Sequence, residues 1–560
     1  MPKAIELLKQ GHHEELWQMC CGYLKLSMPE FMELQNNLLL QQIELLWNSP
    51  IGKKIMRGAK PKTVDEFRRL VPLTDYKDYC PELLEQREDV LPEKPEMWAH
   101  TSGRSGDYAC KWIPLPKDYV MEMSKVLYGL GMMSCADYWG DVSKIPDNIK
   151  LLYGVAPRPY ISGTFADVLR LQSPFKYLPD LETAENLPYE KRIATGFKQA
   201  LNEGVDYFFG LSLVLVKVGE KLRDSSSKVD IREYLGQPRA LWRLVRALVK
   251  SKIAGRPILP KDLWSIKGML GSGVDSGIYK EKIKELWGRQ TLDLYTSTEG
   301  GVLATQTWDY GDLTFIPTLN FFEFIPEDEL LKWQMDRSYR MKTVLMDEVE
   351  VGKSYEIVIS GLHGMPLMRY RIGDMIKITS LGNEKLGINI PQMDFERRVD
   401  DVINFAFVRL NEKAIWQAIE KSGVEYNDWI AFKNLGETEL RILIEPKNDT
   451  TFDESVLSET IYRELTQVDD QAKSLIPDEY ARVIDFKVNV SYLPKGAFDN
   501  YTAQRQAQGA DLAHLKPPHI NPSDRVLALL LGQEEETIVV EKTKKGIETE
   551  AKTGDMVRNT

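Results

Sequence analysis

The chain has 560 residues and an ordinary globular composition, long enough for more than one domain and a large core. Its net charge of -11 (72 basic against 83 acidic residues) argues against bulk nucleic-acid binding, although a local pocket can still take a small anion. Five cysteines confined to the first quarter, with no CxxC pair, give neither a disulfide framework nor a zinc site and point to a reducing, cytoplasmic compartment. The charged start MPKAIELLKQGHHEELWQ lacks an apolar signal core, and no apolar run approaches the ~20 residues of a membrane span.

Residues 1–60 read as helical, with apolar positions three and four apart in LLLQQIELLW. Thr63 and Glu66 in TVDEFRRLVPLTDYKDYCPEL form a capping-box pattern for a short helix. LYGVAP (152–157) and YFFGLSLVLVKVG (207–219) read as strand-like or buried. ALWRLVRALVKSK (240–252) places Leu241, Leu244, Val245 and Leu248 on one face, with Arg243, Arg246 and Lys250 elsewhere. A solvated outer face is preferred there over a basic membrane-surface helix.

LWSIKGMLGSG (263–273) reads as strand then glycine loop, IYKEKIKELWG (278–288) as a helix stopped by Gly288, and TLDLYTSTEGG (291–301) as strand then loop. This alternation predicts an α/β domain with a largely parallel sheet. Past residue 399 the texture changes to a smaller α+β domain, with strands in ELRILIEPK (439–447) and RVIDFKVNVSYL (482–493). The expected division is therefore 1–398, 399–530 and a disordered polar tail, 531–560.

Five stretches bear chemistry. In HTSGRSGDYACKWIPLP, successive Gly and Ser amides can form an anion nest, with hydroxyls from Ser102 and Ser105 and charge from Arg104 and Lys111. Gly103 and Gly106 lack the Walker A spacing, and GKS at 352–354 fails because Asp347 stands where the first glycine belongs. Taken alone, the loop reads equally as a surface turn. YTSTEGG follows a strand, at the edge where α/β sheets bind ligands. Tyr295 could lie against a purine, Thr298 could donate to a phosphate, and Glu299 could hold Mg2+; alone, it is a polar loop with a solvated glutamate.

In LMRYRIGDMIKI, Asp374 could accept both ribose hydroxyls, or be a common turn aspartate after Gly373. Arg398, Asp400 and Asp401 fall at the domain boundary, as hinge residues or a linker salt bridge. Lys495 and Lys516 are each a late lysine that could reach an α-phosphate, or simply solvated.

The order of these stretches resembles the adenylate-forming superfamily of acyl-CoA synthetases, peptide-synthetase adenylation domains and luciferases. Within it the chain resembles the Gretchen Hagen family of acyl acid–amido synthetases. VDEFRRLVPLTDYKDY (64–79), TSGRSG with KWIP, FFEFIP (321–326), YEIVISGLHGMPLMRYRIGD (355–374) and HLKPPH (514–519) carry that likeness, which covers about 40 to 520.

The resemblance implies an α/β fold: a large N-terminal adenylate-forming domain with mixed and parallel sheets, and a smaller mobile C-terminal α+β domain. It implies a ligase that uses ATP and Mg2+ to turn a small carboxylic acid into an acyl-adenylate and pyrophosphate. An amine, an amino acid in the family, then attacks to give an amide. No nucleic acid, transmembrane segment or protein partner is implied.

By carry-over, Thr101, Ser102, Gly103, Arg104, Ser105 and Gly106, with Lys111, hold the outer phosphates. Gly271, Ser272 and Gly273 border the adenine, and Tyr295 stacks on it. Thr296 and Ser297 complete the nucleotide loop, Thr298 touches the α-phosphate, and Glu299 ligates Mg2+. Asp374 takes the ribose with Arg398 nearby, and Asp400 is the hinge. Arg409 follows the hinge strand, and Lys516, ahead of Lys495, is the adenylation lysine.

Three departures stand out. Arg104 replaces a threonine, the spacing before Lys111 is a residue longer, and TSTEGG replaces paired serines. Two alternatives follow: an acyl-CoA ligase, and an ATP-binding but catalytically silent protein.

Overall fold

The computed structural model describes residues 2–101, 111–146, 148–187, 189–225, 234, 236–272, 276–336, 338–398, 402–405, 408–434, 437–447, 452–466, 476, 481–482, 484–507, 519–522 and 524–532. The chain divides into two compact units, the first ending at Val399 and the second beginning at Asp400. The expected disordered tail beyond 532 lies outside the described residues.

The first unit opens with helices. In Met28–Trp47 the apolar stripe Phe31, Leu39, Ile43 and Leu46 is interrupted by buried Gln35 and Gln42. Both reach far along the chain: Gln35 donates to the Asn320 carbonyl at 2.8 Å, and Gln42 to that of Met365 at 2.7 Å. Thr63 caps the helix Val64–Leu70 by accepting from the Glu66 amide at 3.1 Å, as the sequence pattern predicts.

The strands in chain order are β1 (Met97–His100), β2 (Trp112–Leu115), β3 (Ile149–Gly154), β4 (Phe175–Leu178), β5 (Tyr207–Leu211), β6 (Gly268–Ser272), β7 (Leu292–Ser297), β8 (Gly301–Thr305), β9 (Leu313–Phe315), β10 (Asn320–Pro326), β11 (Ser354–Gly361), β12 (Tyr370–Ser380) and β13 (Gln392–Arg398). Strands β1 and β2 form a separate antiparallel pair. The others build an eleven-stranded sheet among the described residues, in the order β10-β11-β12-β13-β9-β8-β7-β6-β5-β3-β4. From β4 to β7 the neighbours are parallel, and beyond β7 they are antiparallel.

Helical crossovers make the parallel half, so both of its faces are covered and its strands are largely apolar. Along β5, Tyr207 and Phe209 enter one core with Leu151 and Tyr153, while Phe208 enters the opposite core with Trp264 and Trp287.

The run 207–219, strand-like or buried in the sequence, is buried for the most part and divides into strand and helix: β5 ends at Leu211 and the helix Ser212–Ser225 follows. A continuous apolar run does not distinguish the two. Asp374 is not in a turn between strands, but inside the single long β12. In the helix Pro238–Ala254, Leu244 is buried with Ala240 and Ala247, while Val245 is on the solvent side.

The second unit holds the hairpin β14 (Val402–Phe405) and β15 (Val408–Asn411), followed by the helix Glu412–Ser422. A three-stranded sheet follows, with β16 (Tyr426–Phe432) antiparallel to β17 (Glu439–Pro446) and β17 parallel to β18 (Lys487–Tyr492). The helices Glu454–Thr466, Ala497–Ala507 and Asp524–Leu531 complete this α+β unit.

Candidate functional site

Strand β7 is the last of the parallel strands, and its carboxyl end opens into the turn Thr298–Glu299–Gly300. The turn is fixed from both sides. The Gly300 amide donates to Ser297 Oγ at 2.9 Å, and the buried Asn320 amide donates to the Gly300 carbonyl at 2.7 Å. Gly301 has φ +64° and lies so near Tyr119 that a Cβ would meet the phenol oxygen at 2.5 Å. Only glycine fits there.

This turn buries the Glu299 carboxylate beside a cation. Lys111 Nζ stands 3.6 Å from Glu299 Oε1. Tyr370 bridges them: its hydroxyl accepts from Lys111 Nζ at 3.3 Å and donates to Glu299 Oε1 at 3.4 Å. Burial, reinforced by the Glu299 charge, pushes the Tyr370 phenol well above its ordinary range, so it remains a neutral donor. The Tyr76 ring also flanks the ammonium, 5.8 Å from ring centroid to Nζ.

Lys111 is held by backbone. The Thr101 amide donates to the Lys111 carbonyl at 3.0 Å, and the Lys111 amide donates back to Thr101 Oγ1 at 3.1 Å. These bonds extend the register of β1 and β2, in which His100 faces Trp112.

Earlier along β7, before that turn, Tyr295 donates its hydroxyl to Asp374 Oδ2 at 2.8 Å. Both residues are buried, and the Tyr295 ring packs 6.2 Å from Phe395. Asp374 follows Gly373, whose φ of +82° lies in an irregularity where β12 slips against β11 between Val358 and Glu356. A bulge re-aims the side chain that follows it. Arg398 is the register partner of Asp374 on β13.

The predicted residues divide as follows. Lys111 and Glu299 meet through Tyr370, and Tyr295 meets Asp374. Thr296 and Ser297 end β7, with Thr298 half-buried in its turn. Gly271 and Ser272 end β6, adjacent to β7 at the same sheet edge. A Cβ at Gly271 would stand 2.6 Å from Ser212 Oγ. Arg409 lies on β15 and Lys495 is exposed, both in the second unit. Ser102, Gly103, Arg104, Ser105, Gly106, Gly273, Asp400, Asp401 and Lys516 lie outside the described residues.

Sequence reasoning missed Tyr370, Tyr76 and Asn320. Tyr370 stands inside the quoted RYRIGD stretch, so adjacency to Asp374 was an available signal. The arginines of that stretch have a structural task. Arg369 is buried and paired with Glu323 of FFEFIP through 2.9 and 2.8 Å bonds, and it also donates to the Arg68 and Val71 carbonyls. Arg371 pairs with Glu356 at 2.9 and 2.7 Å and covers the Trp333 ring at 4.5 Å.

Residues 23–153 match the GH3 family N-terminal domain, and residues 313–398 match the GH3 family central domain. The 4-substituted benzoates-glutamate ligase GH3.12 of Arabidopsis thaliana is 27% identical over 247 residues, covering 41% of this chain and 39% of that protein. The indole-3-acetic acid-amido synthetase GH3.8 of Oryza sativa subsp. indica is 32% identical over 109 residues, covering 20% of this chain and 16% of that protein. These matches thus span about two-fifths of their relatives' length or less.

Two solved structures share the fold. An AtGH3.15 acyl acid amido synthetase in complex with 2,4-DB superposes with a TM-score of 0.51 at 16% identity, covering 93% of this chain and 96% of that one. A 2-hydroxyisobutyryl-CoA ligase in complex with 2-HIB-AMP and CoA gives 0.54 at 13% identity, covering 87% and 94%. The sheet, its carboxyl-edge site and these matches meet in one statement: two segments of the chain match GH3 family domain models, on a fold shared with the two solved structures.

Proposed function

We propose that the protein joins a carboxylic acid to the amine of an amino acid, first forming an acyl-adenylate from ATP. The observation that carries this reading is the Lys111–Tyr370–Glu299 group, with Tyr370 and Glu299 buried and Lys111 half-buried, beside the Tyr295–Asp374 pair at the carboxyl edge of β7. The names of the relatives, benzoates-glutamate ligase and indole-3-acetic acid-amido synthetase, support the same chemistry.

Carboxylates are poor electrophiles, and coupling one to AMP supplies a leaving group. The site's work is to align the acid with the α-phosphate and neutralise the charge that develops there. In this reading Lys111 exchanges its Glu299 partner for phosphate oxygens of the nucleotide. Glu299 is then available to a cation.

Among the described residues no cluster of three or more ligating side chains forms a closed metal cage. A single buried carboxylate still fits Mg2+, which takes one or two carboxylates and completes its shell with water and substrate phosphates. Bound there, Mg2+ would neutralise phosphate charge. Asp374, oriented by Tyr295, is the ribose acceptor, with Gly271, Ser272 and Gly273 at the adenine edge. Thr101, with Ser102 to Gly106, serves the outer phosphates, and Thr298 the α-phosphate. Asp400 is the hinge, Arg409 a catalytic cation, and Lys516 the adenylation lysine ahead of Lys495. The protein works in the cytoplasm.

The test is ATP–pyrophosphate exchange over a panel of aryl, indolyl, jasmonate-like and fatty acids, with Glu299→Ala as control. Exchange with one acid class, lost in the variant and followed by amide formation with an amino acid, supports the reading. A thioester with coenzyme A and no amide moves the assignment to an acyl-CoA ligase. No exchange with any acid despite ATP binding moves it to a silent nucleotide-binding protein.

A further inference from the structure

The helix Pro238–Ala254 turns Ala240, Leu244 and Ala247 toward the core of the first unit. Directly opposite runs a second apolar stripe: Trp242, Val245, Val249 and Ile253 are 62%, 45%, 52% and 83% exposed. Steps of three, four and four residues keep them on one narrow arc over three turns. Single exposed apolar residues need no explanation, but an aligned row with a tryptophan does.

Charge sets the partner. The helix contains Arg239, Arg243, Arg246, Lys250 and Lys252 and no acidic residue, in a chain whose net charge is -11. Arg243 is engaged inward, donating to the Leu201 and Asn202 carbonyls at 2.9 and 2.7 Å. Arg239, Arg246, Lys250 and Lys252 make no ion pair among the described residues. On a helical projection Arg239, Arg246 and Lys250 flank one side of the stripe and Lys252 the other. The Arg246 guanidinium lies 5.3 Å from the Trp242 ring centroid.

We infer that this helix seats the protein on an anionic membrane surface, with Trp242, Val245, Val249 and Ile253 entering the headgroup–acyl boundary and the basic rows meeting lipid phosphates and carboxylates. A shallow apolar stripe between basic rows is the build of an interfacial helix, whose long cationic side chains reach back to the polar layer. A second copy fits poorly. Self-pairing along the stripe would bring like-charged rows together. No helix among the described residues is long and apolar enough to cross a membrane, so the contact is peripheral.

Co-sedimentation of the full chain with vesicles of phosphatidylcholine alone, or mixed with phosphatidylserine, tests this. Binding is expected to the mixed vesicles and to be lost at high salt. Reversing two charges in Arg246→Glu/Lys250→Glu should weaken it about tenfold or more. Trp242→Ser/Ile253→Ser should weaken it comparably. Lys250, Trp242 and Ile253 are solvent-exposed and Arg246 is half-buried, so an unchanged melting temperature is the check that both variants fold. Absence of binding to mixed vesicles, or equal binding to both kinds, overturns the inference. So does light scattering that shows a dimer dissociated by Trp242→Ser, since a second copy would then cover the stripe.

Discussion

Tyr370 holds Lys111 and Glu299 in one hydrogen-bonded group, although the three come from the rim of β2, the start of β12 and the turn after β7. Tyr370→Phe keeps the ring and removes the bridge. We predict a loss of about tenfold in ATP–pyrophosphate exchange, since a hydrogen bond to a charged group contributes ~1.5–3 kcal/mol. The melting temperature should move little. Exchange at the parent rate would show that Lys111 and Glu299 need no bridge.

The aim of Asp374 depends on Gly373. With φ at +82°, Gly373→Ala should cost about 1 kcal/mol or more of stability and shift the carboxylate off Tyr295. Asp374→Ala should weaken ATP binding, read by calorimetry, with a smaller effect on melting. If both variants bind ATP as the parent does, the ribose assignment fails.

Arg369 is 3% exposed and Glu323 1%, so breaking their pair strands a buried charge. Arg369→Met should destabilise the first unit by ~3–5 kcal/mol. Arg369→Met/Glu323→Leu should recover much of that loss. A double variant no more stable than the single would mean that the bonds to the Arg68 and Val71 carbonyls matter more than the ion pair.

His519 in the second unit contacts Asp428 at 2.7 Å and Glu412 at 2.5 Å, and stacks on Trp429 at 4.7 Å. The Asp428 hydrogen bond, aided by Glu412 and opposed by burial, raises its pKa above the ordinary histidine value. A raised folded pKa means that the stabilisation is fully present below the unfolded histidine value and is lost as pH rises through the folded one. Melting of the second unit should therefore weaken on going from mildly acidic to mildly alkaline pH, and His519→Gln should flatten that slope. A slope unchanged in His519→Gln would falsify the assignment.

The sheet was legible because strand and helix periods alternate cleanly through 149–297, and because Gly288 stops its helix with φ +80°. Glu299 and Asp374 stood out in the sequence as carboxylates beside glycine, and the structure places Glu299 in the turn after β7 and Asp374 within β12. Tyr370 was not, because a tyrosine among 24 has core as its default. The helix at 238–254 was misread for a related reason. Two apolar stripes satisfy one 3.6-residue period, and only packing tells which is inward. The long-range partners of Gln35 and Gln42 leave no local trace at all.

The mutual bonds between Thr101 and Lys111 have an engineering consequence. Because the lysine's place comes from the pairing of β1 with β2 and from the Thr101 hydroxyl, the cation is set by the strand pair itself. Whatever spares that ladder and that hydroxyl should leave the ammonium where it stands, which makes the rim of β2 a fixed point from which the rest of the site can be redesigned.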